Sequence, residues 1–190
     1  NSGQEPPNLC IQQAFNASAG LLRRIEARFG VDPATVVAVW GVESDFGRIT
    51  GKRPLLRSLA TLSCAGRRQP FFRGELFAFL RLLQSGDLVD PGLTGSWAGA
   101  FGQTQFMPST YQRIAVDFDG DGRRDLVDSV DDALASTANY LRQAGWRTGQ
   151  PWGIEVRLPA SLDLARAGRR NKAPLSALQY LHRVGHLFAL

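Results

Sequence analysis

The sequence is short of several things, and each shortage excludes a class of protein. No apolar run reaches the ~20 residues that a membrane-spanning helix needs. The opening residues Asn1-Ser2-Gly3-Gln4-Glu5-Pro6-Pro7 are polar and lack the basic and apolar regions of a secretory signal. There are 2 cysteines, Cys10 and Cys64, too few for a disulfide-dense scaffold; a single bridge and two thiols both remain open. The 2 histidines, His182 and His186, have the spacing of a helical metal pair, but no third ligand lies near them, so they read as surface residues. Zinc fingers, recognition helices and aromatic–basic strand motifs are absent, which argues against a nucleic-acid partner. There is no internal repeat and no low-complexity tract.

What remains is a chain of 190 residues, 44% hydrophobic, with a formal charge of +5. That length suits one globular domain or a domain with a small appendage, and folding buries roughly 70% of the extended chain's surface. The basic balance attracts polyanions without saying which.

Apolar spacing is mostly helical. Leu21, Leu22, Ile25 and Phe29 share one face, and Gly30 can stop that helix. Asp32-Pro33 reads as an N-cap followed by proline at the first helical position, opening a buried helix through Val36, Val37, Val39 and Trp40 to Asp45. Phe71 to Leu83 predicts another helix, ending near Gly86. Ser129 and Asp132 form a capping-box-like start for a helix through Tyr140 and Leu141. Strand signals are confined to a weak alternation from Trp152 to Leu158.

The segment Asp117-Phe118-Asp119-Gly120-Asp121-Gly122-Arg123-Arg124-Asp125-Leu126-Val127-Asp128 has the spacing of an EF-hand loop, with carboxylates at alternate positions and glycine at the sixth. Calcium takes six to eight oxygens, so Asp117, Asp119, Asp121 and the Arg123 carbonyl are the expected ligands. The twelfth residue is Asp128 rather than a longer Glu, and Asp131 is an alternative closing ligand of a longer loop.

Two further runs carry chemistry. Glu43 lies in Gly41-Val42-Glu43-Ser44-Asp45-Phe46-Gly47, amid Val39, Trp40, Val42 and Phe46, an apolar setting that disfavours the charged carboxylate and suits a general acid. Asp45 is the one nearby second carboxylate, but two residues on a helix diverge by about 200°, so the pair does not share a face. In Gly95-Ser96-Trp97-Ala98-Gly99-Ala100-Phe101-Gly102-Gln103-Thr104-Gln105-Phe106-Met107-Pro108-Ser109, small residues would let backbone approach a bulky ligand. Ser96 and Gln105 can hydrogen-bond amides or hydroxyls. Trp97, Phe101 and Phe106 can stack on sugars or fill core.

These runs, with Ser136-Thr137-Ala138-Asn139-Tyr140-Leu141 and Gly145-Trp146, resemble the B-type lytic murein transglycosylases of bacteria in order and approximate spacing from about Leu21 to Arg157. The resemblance implies a mainly α, lysozyme-like catalytic domain over residues 1–150, with an EF-hand-like helix–loop–helix at 108–132 and a minor β element. It implies a short C-terminal segment at 151–190, reduced relative to the family, with Tyr180 and Val184-Gly185-His186-Leu187 as its weakly matching end. It implies Glu43 as the single acid/base that cleaves the bond between N-acetylmuramic acid and N-acetylglucosamine without water, leaving 1,6-anhydromuramoyl ends. Ser96, Trp97, Gln105, Tyr140, Arg67 and Arg68 are the implied substrate contacts. Ca2+ is the implied structural ion, and no organic cofactor is expected. The implied partners are peptidoglycan strands, whose carboxylates suit a basic protein, and other wall enzymes. The implied location is the bacterial periplasm or envelope, with membrane anchoring not visible. A hydrolytic muramidase and a non-catalytic, calcium-stabilised peptidoglycan-binding module are the alternatives.

Overall fold

A computed structural model describes residues 7–65, 67–150, 156–157 and 188–189. The chain divides into two compact units, Asn1–Thr148 and Gly149–Leu190. In the second unit, β3 (Val156–Arg157) pairs antiparallel with β4 (Phe188–Ala189). The rest of the expected Trp152–Leu158 strand, and Tyr180, His182 and His186, lie outside the described residues.

The first unit is mainly helical, as the apolar spacing predicts. It holds α1 (Pro7–Ala17), α2 (Ala19–Phe29), α3 (Pro33–Ser44), α4 (Leu55–Ala65), α5 (Gln69–Ser85), α6 (Pro108–Ile114) and α7 (Val130–Gln143), with one short antiparallel ribbon of β1 (Arg53–Pro54) and β2 (Thr94–Gly95). Local chemistry sets several ends. Gly30 closes α2 in the left-handed conformation, and Gly86 does the same for α5. Asp32 caps α3, its carboxylate accepting from the Thr35 N–H at 2.9 Å, with Pro33 at the first position.

The start of α7 is only half the expected capping box. The Ser129 hydroxyl accepts from the Asp132 N–H, but the Asp132 carboxylate turns away and accepts from the N–H groups of Phe118 and Asp125. Asp132 is fully buried, and burial pushes its carboxyl up while the Phe118 and Asp125 donors pull it back. It ties the entry of the acidic segment to its exit.

Two apolar clusters hold the unit together. Leu55, Leu59, Phe79, Leu82, Phe101, Tyr111 and Leu126 join α4, α5 and α6 to the loops between them. Leu22, Ile25, Val36, Val37, Trp40, Leu134 and Ala138 join α2, α3 and α7. Each fully buried Leu or Phe contributes about 1.5–3 kcal/mol relative to exposure. The buried carboxylate of Glu75 accepts from both the N–H and the hydroxyl of Ser109, satisfying the N-terminal turn of α6 from α5. The two cysteines are not bonded to one another.

Candidate active site

Glu43 sits on the last turn of α3. Four side chains on that helix, Val36, Val37, Trp40 and Ser44, point into the core. Glu43 flanks this buried stripe and faces outward. The expectation of a carboxyl wrapped by apolar groups is therefore corrected. Glu43 is exposed, Val42 is 86% exposed, and the Trp40 ring is turned inward. Helical geometry explains the error, because residues adjacent in sequence point about 100° apart.

The chain leaves α3 through two non-glycine residues in the left-handed region, Asp45 at φ 51° and Phe46 at φ 57°. Such residues cost about 1–3 kcal/mol each and persist only where the surroundings over-determine them. Here the Phe46 ring packs edge-on against Trp40 with centroids 5.5 Å apart. The Ser44 hydroxyl accepts from the Gly47 N–H, and Asp45 pairs with Arg48 at 2.9 Å. That pair leaves Asp45 occupied locally rather than poised beside Glu43. The Asp45 hydrogen bond, with Cys10 adding to it, raises the Arg48 guanidinium further above its ordinary range.

Glu43 opens onto a cleft of about 340 Å³ lined by Val39, Thr104, Gln105, Phe106, Thr137 and Tyr140, among others. The carboxyl of Glu43 is the one acidic group in its lining among the described residues. Gln105 is held at φ 53° on the turn between Phe101 and Phe106, whose backbones exchange two hydrogen bonds of 3.0 Å. Its Nε2 donates to the carbonyls of Thr50 and Gly102, which leaves Oε1 as an acceptor. Thr104 Oγ1 is buried without a hydrogen-bond partner. Tyr140 is 43% exposed, its ring tilted against Phe106 with centroids 5.9 Å apart.

The structure thus brings Glu43, Gln105 and Tyr140 to one cleft. Ser96, Trp97, Arg67 and Arg68 do not line it. The Ser96 hydroxyl accepts from the Ala100 N–H and closes a tight turn. Trp97, 70% exposed, lines a separate groove with Arg53, Arg57 and Leu62. Arg68 lies over the Phe71 ring at 4.2 Å, and Arg67 is exposed. Phe101 is core, and Phe106, also buried, contributes to the wall of the Glu43 cleft. The glycines of this run are not openings for a ligand, which corrects that expectation. A Cβ at Gly99 would stand 2.3 Å from Leu59, and one at Gly102 would stand 2.5 Å from the Leu126 carbonyl oxygen, so both serve internal packing. Val39, Thr104, Thr137 and Leu141 went unassigned from sequence. Helical spacing was the available signal, since Val39 lies one turn before Glu43, and Thr137 one turn before Tyr140 and Leu141.

Asp117, Asp119 and Asp121 converge, each offering an oxygen within 4.8 Å of the others. Asp128 and Asp131 stand outside this group, and Asp131 is ion-paired with Arg24 at 2.6 Å. The loop closes on itself. Asp117 accepts from Gly120 and Gly122, Asp119 from Asp121 and the Ser129 hydroxyl, and Asp121 from Arg123. Three converging carboxylates are a hard-oxygen donor set of the kind calcium takes.

Residues 11–185 match the transglycosylase SLT domain family. The chain belongs to that family. It is 46% identical over 176 residues to the membrane-bound lytic murein transglycosylase B of Escherichia coli strain K12, covering 85% of this chain and 48% of that protein. The fold matches SltB3 of Pseudomonas aeruginosa, solved with NAG-NAM-pentapeptide, at a TM-score of 0.82 and 48% identity over 92% of this chain and 47% of that one. It also matches the Escherichia coli lytic transglycosylase Slt35, solved with calcium, at a TM-score of 0.82 and 37% identity over 95% of this chain and 57% of that one. The chain therefore spans about half the length of these relatives. The family's lysozyme-like, mainly helical architecture is the one described above.

Proposed function

We propose that this chain is a lytic transglycosylase domain that cuts peptidoglycan between N-acetylmuramic acid and N-acetylglucosamine, with Glu43 as sole acid and base. The observation that carries this reading is that, among the described residues, the cleft lining holds a single carboxylate. Most glycosidases that activate water or form a glycosyl-enzyme use two carboxyls. With one, groups of the substrate itself can supply the nucleophile. Glu43 donates its proton to the glycosidic oxygen as the C1–O bond breaks, and the muramoyl acetamido oxygen bonds to C1. Glu43, now a carboxylate, takes the proton of the C6 hydroxyl. O6 then bonds to C1, the acetamido oxygen leaves, and a 1,6-anhydro ring forms with Glu43 reprotonated. No water is consumed.

Exposed in the free protein, Glu43 is within reach of a glycan that fills the cleft. Gln105 Oε1 is left to accept from an acetamido or hydroxyl group, and Tyr140 offers a ring face and a hydroxyl. Ser96, Trp97, Arg67 and Arg68 are proposed to meet more distant parts of the strand, the arginines facing carboxylates of the peptide stems. Asp117, Asp119, Asp121 and the Arg123 carbonyl would hold calcium, with Asp128 or Asp131 completing the shell. The ion would supply charge neutralisation to the loop and take no part in the cleavage. The location that suits this substrate is the bacterial envelope. No described helix is long and apolar enough to cross a membrane.

The test is mass analysis of muropeptides released from purified peptidoglycan. Ends that resist borohydride and carry the anhydro mass support the proposal. Predominantly reducing ends would replace it with a muramidase, and binding without cleavage would replace it with a binding module.

A further inference from the structure

Gln103 lies in none of the clefts described above, yet each of its four polar groups is engaged although the residue is only 7% exposed. Its N–H donates to the Leu126 carbonyl at 2.8 Å, and its carbonyl accepts from the Ser44 hydroxyl. Its side-chain Oε1 accepts from the Trp40 indole N–H at 3.0 Å, and Nε2 donates to the Val127 carbonyl at 3.1 Å. A Cβ at Gly47 would stand 2.8 Å from that same Oε1, so the exit from α3 is also fitted around the amide.

Two of these bonds seize the turn that carries Glu43. Trp40 and Ser44 lie one helical turn apart on one face, and Glu43 is the residue before Ser44. The other two bonds hold Leu126 and Val127, where the acidic segment runs toward α7. Resting on the function proposed above, we infer that Gln103 is a positioning residue for Glu43. It clamps the last turn of α3 to the exit of the acidic segment and so fixes the direction from which the Glu43 proton is delivered. The turn needs such a clamp, because it is followed by two left-handed non-glycine residues and its catalytic side chain is itself exposed and unsupported. A displacement of about 1 Å in a reacting group costs on the order of 10²-fold in rate.

The test uses Trp40→Phe, Gln103→Leu and the double variant in the whole chain, with rates of release of anhydro-ended muropeptides from peptidoglycan measured well below each variant's melting temperature. Trp40→Phe keeps an aromatic ring while removing the indole donor along with part of the ring system. Each single variant is expected to lower kcat tenfold or more with KM within about twofold, and the double variant is expected to match Gln103→Leu rather than the product of the two. Gln103→Glu keeps the acceptor for Trp40 and loses the donor to Val127, so its kcat is expected to fall between wild type and Gln103→Leu. The inference is overturned if kcat per folded molecule stays at the wild-type level while only melting temperature falls, for that is a purely structural role. It is equally overturned if the two single effects multiply. Should Gln103→Leu fail to fold, Trp40→Phe alone decides on the same criterion. A wild type that releases reducing ends sinks the transglycosylase proposal but leaves the clamp under test, because the same Glu43 proton reaches the same oxygen. A wild type with no cleavage sinks both.

Discussion

The ring of Phe46 lies against the backbone of Gly41, so close that a Cβ at residue 41 would stand 2.8 Å from the ring's Cζ. Phe46 cannot simply swing away, because its left-handed backbone and its edge-on contact with Trp40 set its direction. A glycine inside a helix costs about 1 kcal/mol relative to alanine, so Gly41→Ala has a local gain to offset. Overpacking costs about 1–3 kcal/mol and outweighs it. Gly41→Ala is expected to lower stability in urea denaturation, and to raise it in a Phe46→Ala background where the clash is gone. The same sign in both backgrounds would show that the contact does not govern the choice of glycine.

Glu43 and Asp45 differ in what surrounds them more than in chemistry. Glu43 opens to the cleft, whereas Asp45 caps the helix and is paired with Arg48. Glu43→Gln keeps the volume and removes the proton, so turnover is expected to fall by about 10²–10⁴-fold or more. Asp45→Asn is expected to lose less than about tenfold, since an amide can still hold Arg48 through its oxygen. Steady-state assays on folded protein decide the matter, and equal loss in the two variants would restore a two-carboxylate hydrolase.

Asp87 gives a pH dependence with a definite sign. Burial pushes its carboxyl up, but hydrogen bonds from Arg124 and Ser85 and the Arg124 charge together carry it below the ordinary value of 3.8. A depressed folded-state pKa stabilises the protein above the unfolded value, and that contribution disappears as pH falls through the folded value. Asp87→Asn is therefore expected to cost about 1 kcal/mol at neutral pH, the low side for a charge-assisted bond. More than a quarter of each partner remains exposed, 29% for Arg124 and 27% for Asp87. The gap between variant and wild type should narrow steadily below pH 3.8 in chemical denaturation. A gap that widens there would reverse the assignment.

Features carried by nearest neighbours were legible in the sequence. Asp32-Pro33, Gly30 and Gly86 each marked a helix end because capping and left-handed closure are local events. The resemblance picked out Glu43 as the candidate acid because the runs around it are distinctive. Contacts between distant residues were not legible. Nothing near Glu75 announces that it satisfies Ser109, 34 residues away. The glycines at 99 and 102 looked like room for a ligand because sequence does not reveal that Leu59 and Leu126 lie against them. The exposure of Glu43 was misjudged for a related reason. Its apolar neighbours are real, but Trp40 faces the core while Val42 faces water, so neighbourhood in sequence was mistaken for neighbourhood in space.

The acidic loop allows calcium-dependent and calcium-independent stability to be separated. Asp117, Asp119 and Asp121 hold three charges within 4.8 Å, which costs about 1 kcal/mol per pair even at water's dielectric and more beside the protein. An ion bound there stabilises the fold by RT ln(1 + [L]/Kd), about 2.7 kcal/mol at a hundredfold excess over Kd. Asp119→Ala is expected to abolish the calcium-induced rise in melting temperature and to change little in chelator. Asp132 has the opposite signature. Its buried carboxylate holds the N–H groups of Phe118 and Asp125 with no ion involved, so Asp132→Ala should destabilise the protein in chelator and in calcium alike. Asp131 lies between these cases. Its pair with Arg24 gives Asp131→Ala a small cost in chelator, and a further loss in calcium appears only if Asp131 leaves Arg24 to join the shell. Calcium titrations of Asp128→Ala and Asp131→Ala then show which closes it, by whichever loses affinity. If millimolar calcium shifts neither the melting temperature nor the denaturation midpoint of the wild type, the convergence of the three aspartates is an acidic turn and holds no ion.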